Sequence, residues 1–162
     1  MPVGQGDPFK KCLEVVQVST IAFVLSSEFN LIAERKNIQK VKFLDIDLLR
    51  SDTVDLCAKY YTIEQKLEGA GYKRFNSNTG VITAFAHYTC ELTKGYLVVY
   101  DLQGIELNNQ FILTDPAIHC VDSLRFGTTN FGKKGIKKVF QCFLENHKCN
   151  DICKKLELNH IN

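Results

Sequence analysis

The tail His147-Lys148-Cys149-Asn150-Asp151-Ile152-Cys153 constrains this chain more than any other stretch. It reads H-x-C-x3-C. Cys149 and Cys153 are four apart, so a helix would place them on one face, about one turn apart. His147 lies just ahead of that face. Two thiols and an imidazole within seven residues suit tetrahedral Zn2+. Three ligands leave one position to be filled from elsewhere. The competing reading is a chance cluster whose cysteines are buried as small apolar side chains.

Seven cysteines is an odd number for a disulfide framework. The start MPVGQGDPFKK lacks the apolar run of a secretory signal. The stretch 15–25 is interrupted by Gln17, Ser19 and Thr20, and reads as too short and too polar for a membrane span. An intracellular, cytoplasmic setting with free, catalytic or metal-bound thiols follows, without a membrane span. At 162 residues the chain reads as one domain. Twenty basic and 18 acidic residues give a net charge of +2, which does not argue for a nucleic-acid partner. A zinc nucleic-acid module is further disfavoured by the lack of a C-x2–4-C pair.

Asp7-Pro8 predicts a helix start, with Asp as cap and Pro in the first helical position. The helix is expected over 9–29, with Phe9, Leu13, Val16, Thr20, Val24 and Leu25 on one side. The β-branched cluster at 15–18 leaves a strand open there. Residues 34–40 read as a polar connector, 41–48 as an alternating strand and 60–67 as a second strand. Residues 84–92 are ambiguous. Residues 96–100 form a short apolar run that suits a strand covered on both faces. A polar loop is expected over 101–115, and a flexible loop over 127–132. Ile136, Val139, Phe140, Phe143 and Leu144 follow helical spacing. Asn150 or Asp151 caps a short last helix. The order is mixed α+β without a regular βαβ rhythm.

Asp101-Leu102-Gln103-Gly104 follows the apolar run directly, and Asp115 follows after the polar loop. Two carboxylates and an amide oxygen suit Mg2+, a hard cation, or a base that takes a hydroxyl proton. The same residues before Gly or Pro are also ordinary turn formers.

Eight segments, in order, carry a resemblance: SSEFN at 26–30, YTIEQKLEG at 61–69, RFNSNTG at 74–80, AFAHYTCE at 84–91, VVYDLQG at 98–104, LTDPAIHC at 113–120, FGTTNFGKKGI at 126–136 and HKCNDIC at 147–153. Together they resemble the catalytic domain of alpha-type protein kinases over 13–158. The resemblance implies an α+β fold, the lower lobe and hinge of a protein-kinase-like domain with a structural zinc site. Residues 1–12 would then be a flexible N-terminus and 159–162 a tail. Few residues precede the first helix, so the upper lobe, with its phosphate-covering loop and ATP-binding lysine, is expected to be largely missing.

The resemblance also implies roles. Asp101 would orient or deprotonate the acceptor hydroxyl. Gln103 and Asp115 would bind Mg2+. Glu64 falls at the hinge that holds adenine, although its own chemistry fits an ordinary strand carboxylate. Arg74, Asn76 and Asn78 would lie near the nucleotide. Gly127, Asn130 and Gly132 belong to a loop beside the substrate groove. His87 would complete zinc with His147, Cys149 and Cys153; His119 and His160 are read as surface or loop histidines. The spacing from Asp101 to Asp115 is longer than the family's, through residues 106–110. The implied activity is ATP-dependent phosphoryl transfer to Ser/Thr hydroxyls of a protein substrate, with ATP, Mg2+ and structural Zn2+. The alternative is a zinc-stabilised pseudokinase that binds a partner without catalysis. Self-association is expected through the surface that an upper lobe would cover.

Overall fold

Asp7 begins the first helix as its sequence predicts. Its carboxylate accepts from Phe9 N at 3.0 Å, Pro8 opens the first turn, and α1 runs Pro8–Arg35. The computed structural model describes residues 7–52, 59–67, 71–75, 80–122, 124–127, 130, 143 and 145–160. Residues 8–12, grouped above with a flexible N-terminus, form the first turns of α1, and 34–35, expected as connector, close it.

The buried side of α1 is not the predicted one. Val18, Ser19, Ala22, Leu25, Ser26, Phe29 and Ala33 face the core, whereas Phe9, Thr20 and Val24 are exposed. The helix carries apolar residues on almost every side, so hydrophobicity alone does not pick a face. Small residues decide instead: Ser19, Ala22, Ser26 and Ala33 let neighbouring elements approach closely. Phe29 then meets Phe85 and Tyr88 edge-on, at ring separations of 5.3 and 5.4 Å. By length and composition α1 is also able to cross a bilayer, which the shorter stretch 15–25 did not suggest. In this fold one side of it closes the core.

The remaining elements are β1 Lys40–Phe43, β2 Ile46–Ser51, β3 Lys59–Glu64, β4 Lys73–Arg74, α2 Gly80–Leu92, β5 Leu97–Tyr100, β6 Gln103–Leu107, β7 Gln110–Thr114, β8 Ala117–Cys120 and α3 Asp151–Lys155. Among the described residues they form a four-stranded sheet in the order β1-β7-β6-β4 and two antiparallel pairs, β2-β3 and β5-β8. The single strand expected over 41–48 is two strands in different sheets. Val41 and Phe43 bury themselves from β1, while β2 buries nothing fully.

The expected polar loop over 101–115 is a hairpin. β6 and β7 pair antiparallel from Gln103↔Thr114 to Leu107↔Gln110. Asn108-Asn109 makes the two-residue connection. The five residues that lengthen the family's spacing are absorbed in this hairpin tip. Residues 84–92 are helical. The helix expected over 136–144 lies outside the described residues, apart from Phe143, which is helical.

Two polar residues lock this arrangement. Asn30 on α1 donates to Val41 O at 2.7 Å and accepts from Val41 N at 2.8 Å. Buried Thr89 on α2 donates to Ala86 O at 2.8 Å and accepts from Val99 N at 3.1 Å. The second contact fixes β5 against α2, and β5 delivers the residues of the site.

Candidate active site and metal centre

Leu97, Val98 and Val99 are buried, so β5 is a rigid base. Asp101 emerges directly from its end at φ +53°, and Asp115 emerges from β7 at φ +48°. Left-handed backbone is uncommon outside glycine, although Asp adopts it more readily than most. Here it turns both carboxylates out of their strands. Leu102, buried between Asp101 and Gln103, accepts from Phe75 N at 2.8 Å and holds the turn.

The β6–β7 register sets Gln103 opposite Thr114. Gln103 is 8% exposed, and its Nε2 donates to Asp115 Oδ2 at 2.9 Å. The structure therefore brings Asp101, Gln103 and Asp115 into one site. Gly104 is required for this. It sits at φ +152°, and a Cβ there would stand 2.1 Å from Ile112 O.

Around this trio lie residues that the sequence placed less sharply. Arg74 on β4 pairs with Asp101, Nε to Oδ1, at 2.9 Å. Thr114 Oγ1 donates to Glu64 Oε2, linking the end of β3 to the residue before Asp115. The Tyr72 phenol is pushed up, first by desolvation and then by Asp115 and Glu64, with a smaller contribution from Asp101. Asp115, Glu64 and Asp101 thus gather negative charge around Tyr72, with the Arg74 guanidinium opposing them. Cation binding requires the Gln103 oxygen, the other end of its amide, to face the metal.

Asn76, Asn78 and Gly132 lie outside the described residues, as do Lys133, Lys134, Lys137 and Lys138. Gly127 has φ +50° and packs so closely on α1 that a Cβ would meet the Glu14 carboxylate at 1.8 Å. Asn130 is buried. Its amide donates to Asp122 O at 3.1 Å and Arg125 O at 3.2 Å and accepts from Cys120 N at 3.3 Å, tying Asp122 and Arg125 to β8. A cavity of about 510 Å³ opens beside Asp101, walled by Thr83, Ala86, His119, Phe143 and Lys148. His119, read as a surface histidine, is 4% exposed on β8, and burial lowers its pKa to about 4. β8 is buried at every position and pairs with β5, so strand pairing, not local polarity, sets the burial of His119.

His87, His147, Cys149 and Cys153 converge from α2 and the tail, with all four donor atoms within 4.8 Å of one another. Cys149 Sγ lies 3.8 Å from His87 Nδ1, and Cys153 Sγ lies 3.7 Å from His147 Nε2. The two thiols do not share a helix face, because Cys149 precedes the cap of α3. Asn150 is that cap. Its Oδ1 accepts from Ile152 N and Cys153 N at 2.9 and 3.0 Å, and its Nδ2 donates to Gly80 O at 2.9 Å.

The donor chemistry suits zinc. Separations of 3.7–3.8 Å match the edges of a tetrahedron with metal–ligand bonds of about 2.0–2.3 Å. Burial and the neighbouring His87 lower the His147 pKa to about 4, so this imidazole is in its neutral, ligating form. Burial also lowers His87 and raises the Cys153 thiol. A buried thiolate needs a cation beside it.

The sequence profile of the Alpha-kinase family matches residues 3–153, nearly the whole chain, and the chain belongs to that family. It is 34% identical over 165 residues to the alpha-protein kinase vwkA of Dictyostelium discoideum, an alignment covering 96% of this chain and 25% of that protein. The fold is similar to the apoenzyme alpha-kinase domain of myosin-II heavy chain kinase A, with TM-score 0.76, 28% identity, and coverage of 95% of this chain and 62% of that one. An inactive form of the same domain complexed with ATP gives TM-score 0.75 at 29% identity, covering 98% of this chain and 62% of that one. The chain thus spans about a quarter of the length of this curated relative and less than two thirds of the solved domain.

Proposed function

We propose that this chain forms the acceptor-side half of a protein Ser/Thr kinase site that transfers the γ-phosphoryl group of ATP. One observation carries the proposal: Gln103 and Asp115 stand side by side at 2.9 Å, with Asp101 two residues away on the same rigid base. Phosphoryl transfer asks a protein mainly for positioning and charge neutralisation; these three side chains would supply the first directly and the second through a cation that Gln103 and Asp115 would hold.

In this reading Gln103 and Asp115 hold Mg2+, which when bound neutralises phosphate charge. Asp101 accepts the proton of the acceptor hydroxyl as that oxygen bonds to the γ-phosphorus and the bridging P–O bond of ATP breaks. Arg74 holds the Asp101 carboxylate in place through their ion pair. The main chain near Glu64 faces adenine, and Asn76 and Asn78 contribute on the nucleotide side. Gly127, Asn130 and Gly132 border the acceptor peptide. His87, His147, Cys149 and Cys153 hold one structural Zn2+; four protein ligands leave no position for a reactive water.

The test is radiolabel transfer from Mg2+-ATP to a protein substrate, with phosphoamino-acid analysis. Labelling on Ser or Thr that Asp101→Ala reduces by about 10²-fold or more, with ATP binding retained, meets the expectation. Absence of both labelling and ATP binding in the wild-type chain overturns it.

A further inference from the structure

A metal can take only one nitrogen of His87. Nδ1 lies inside the His/Cys group, 3.8 Å from Cys149 Sγ. The other nitrogen, Nε2, is enclosed in a residue only 1% exposed and has no hydrogen-bond partner. Two acceptors act on this ring, the Glu91 carboxylate and the backbone of Asn159, and of the two only Glu91 carries a charge. Glu91 lies one turn further along α2, with Oε2 3.8 Å from Nε2. Glu91 is itself held in place. Asn159 N donates to its Oε2 at 2.7 Å, and Asn159 Nδ2 donates to its Oε1 at 3.0 Å.

These contacts have a direction. If Nδ1 binds a metal, Nε2 must carry the ring proton, and a buried N–H then points toward an anion. A carboxylate on the far nitrogen fixes the tautomer, fixes the ring plane and makes the ligating nitrogen more basic. His147 differs, for its remote nitrogen has no partner either but no carboxylate stands near it among the described contacts. The centre is therefore asymmetric, with one imidazole supported and the other held by packing against Phe143 at 5.3 Å.

We propose that Glu91 is a positioning residue of the metal centre. It holds His87 as the Nδ1-ligating, Nε2-protonated tautomer, and through Asn159 it clamps the end of the chain onto the same site. The proposal rests on the zinc reading above. The two fail separately: elemental analysis of the purified wild-type protein decides the zinc reading before any variant is made.

The experiment measures zinc release from the holoprotein into a colorimetric chelator. Glu91→Gln keeps an acceptor for Asn159 N but removes the charge and turns an amide toward His87. It is expected to weaken zinc retention by about 10- to 100-fold. Asn159→Ala loosens the tail while leaving Glu91 in place, and is expected to retain zinc nearly as wild type does. A merely structural tie predicts the same small effect for both variants. Zinc retention in Glu91→Gln equal to wild type overturns the proposal. Long-range 1H–15N NMR of the wild-type holoprotein is a second, variant-free readout. A slowly exchanging proton on His87 Nε2 supports the assignment, and a proton on Nδ1 refutes it.

Discussion

Replacing Gly104 by Ala adds one methyl group and should cost far more than one methyl group can return. Two separate penalties are readable. The backbone at φ +152° is a conformation that L-residues rarely adopt, worth about 1–3 kcal/mol of strain. The new Cβ would also lie 2.1 Å from Ile112 O and 2.9 Å from Leu113 Cα, and both obstacles are backbone. Relief requires β7 to move away from β6 by about 1 Å, and overpacking of this kind costs about 1–3 kcal/mol. The sum is about 2–6 kcal/mol, a large part of the about 5–15 kcal/mol that holds a domain together. Gly71→Ala is the control. It too has positive φ, at +118°, but nothing lies within 4 Å of its would-be Cβ. It should show the strain alone. Urea unfolding with unchanged slope measures both, and Gly104→Ala should exceed Gly71→Ala by about 2 kcal/mol. Equal costs would mean that the collision does not exist and that β6 and β7 are not packed as described. Because β7 carries Asp115, Mn2+ binding followed by electron paramagnetic resonance should weaken in Gly104→Ala and hold in Gly71→Ala.

His119 predicts an acid-sensitive fold. Its folded pKa, about 4, lies below the ordinary histidine value of 6.5 because burial disfavours the charged ring. Between those values the unfolded chain binds the extra proton. The contribution is therefore complete above about pH 6.5 and is lost as pH falls toward 4, up to about 3 kcal/mol. His119→Gln should flatten that part of a stability–pH profile; an unchanged profile would contradict the burial argument. Thr114→Val removes the bond to Glu64 and should cost about 1 kcal/mol while weakening Mn2+ binding, whereas Thr114→Ser should restore both. Equal Mn2+ binding by wild type and Thr114→Val would show that Glu64 does not brace the Asp115 turn.

What the sequence disclosed followed the strength of its local chemistry. The Asp7-Pro8 start and the last helix's cap are local hydrogen-bond rules; the first holds to the residue, and of the two caps the sequence allowed, Asn150 is the one used. The run before Asp101 folds as a strand whose Leu97, Val98 and Val99 are buried as it suggests, while Tyr96 and Tyr100 at its ends are exposed. The long helix was legible but its face was not, because the choice depends on which neighbours approach Ala22 and Ala33. The hairpin at 103–114 was hidden by polarity. Glu106, Asn108, Asn109 and Gln110 look like loop residues, yet Ile105, Phe111 and Leu113 are the buried alternation of two strands. For the site, residue types and order were enough to group Asp101, Gln103 and Asp115. The Arg74–Asp101 and Thr114–Glu64 contacts depend on strand register, which no single segment contains.

The side chain of Asn30 reaches across to Val41 and satisfies both its N–H and its C=O. β1 is the last strand on its side of the sheet, so these are the groups that a further strand would seek. One amide from a helix thus plays the part of a neighbouring strand. The opposite margin is β4, only two residues long, too brief to template much pairing. The sheet that carries Gln103 and Asp115 is in this way closed to growth from either side, by a borrowed side chain at one border and by shortness at the other. Among the described residues, the register of Gln103 and Asp115 is thereby shielded from a stray strand that could slide in beside it and pull the hairpin out of alignment.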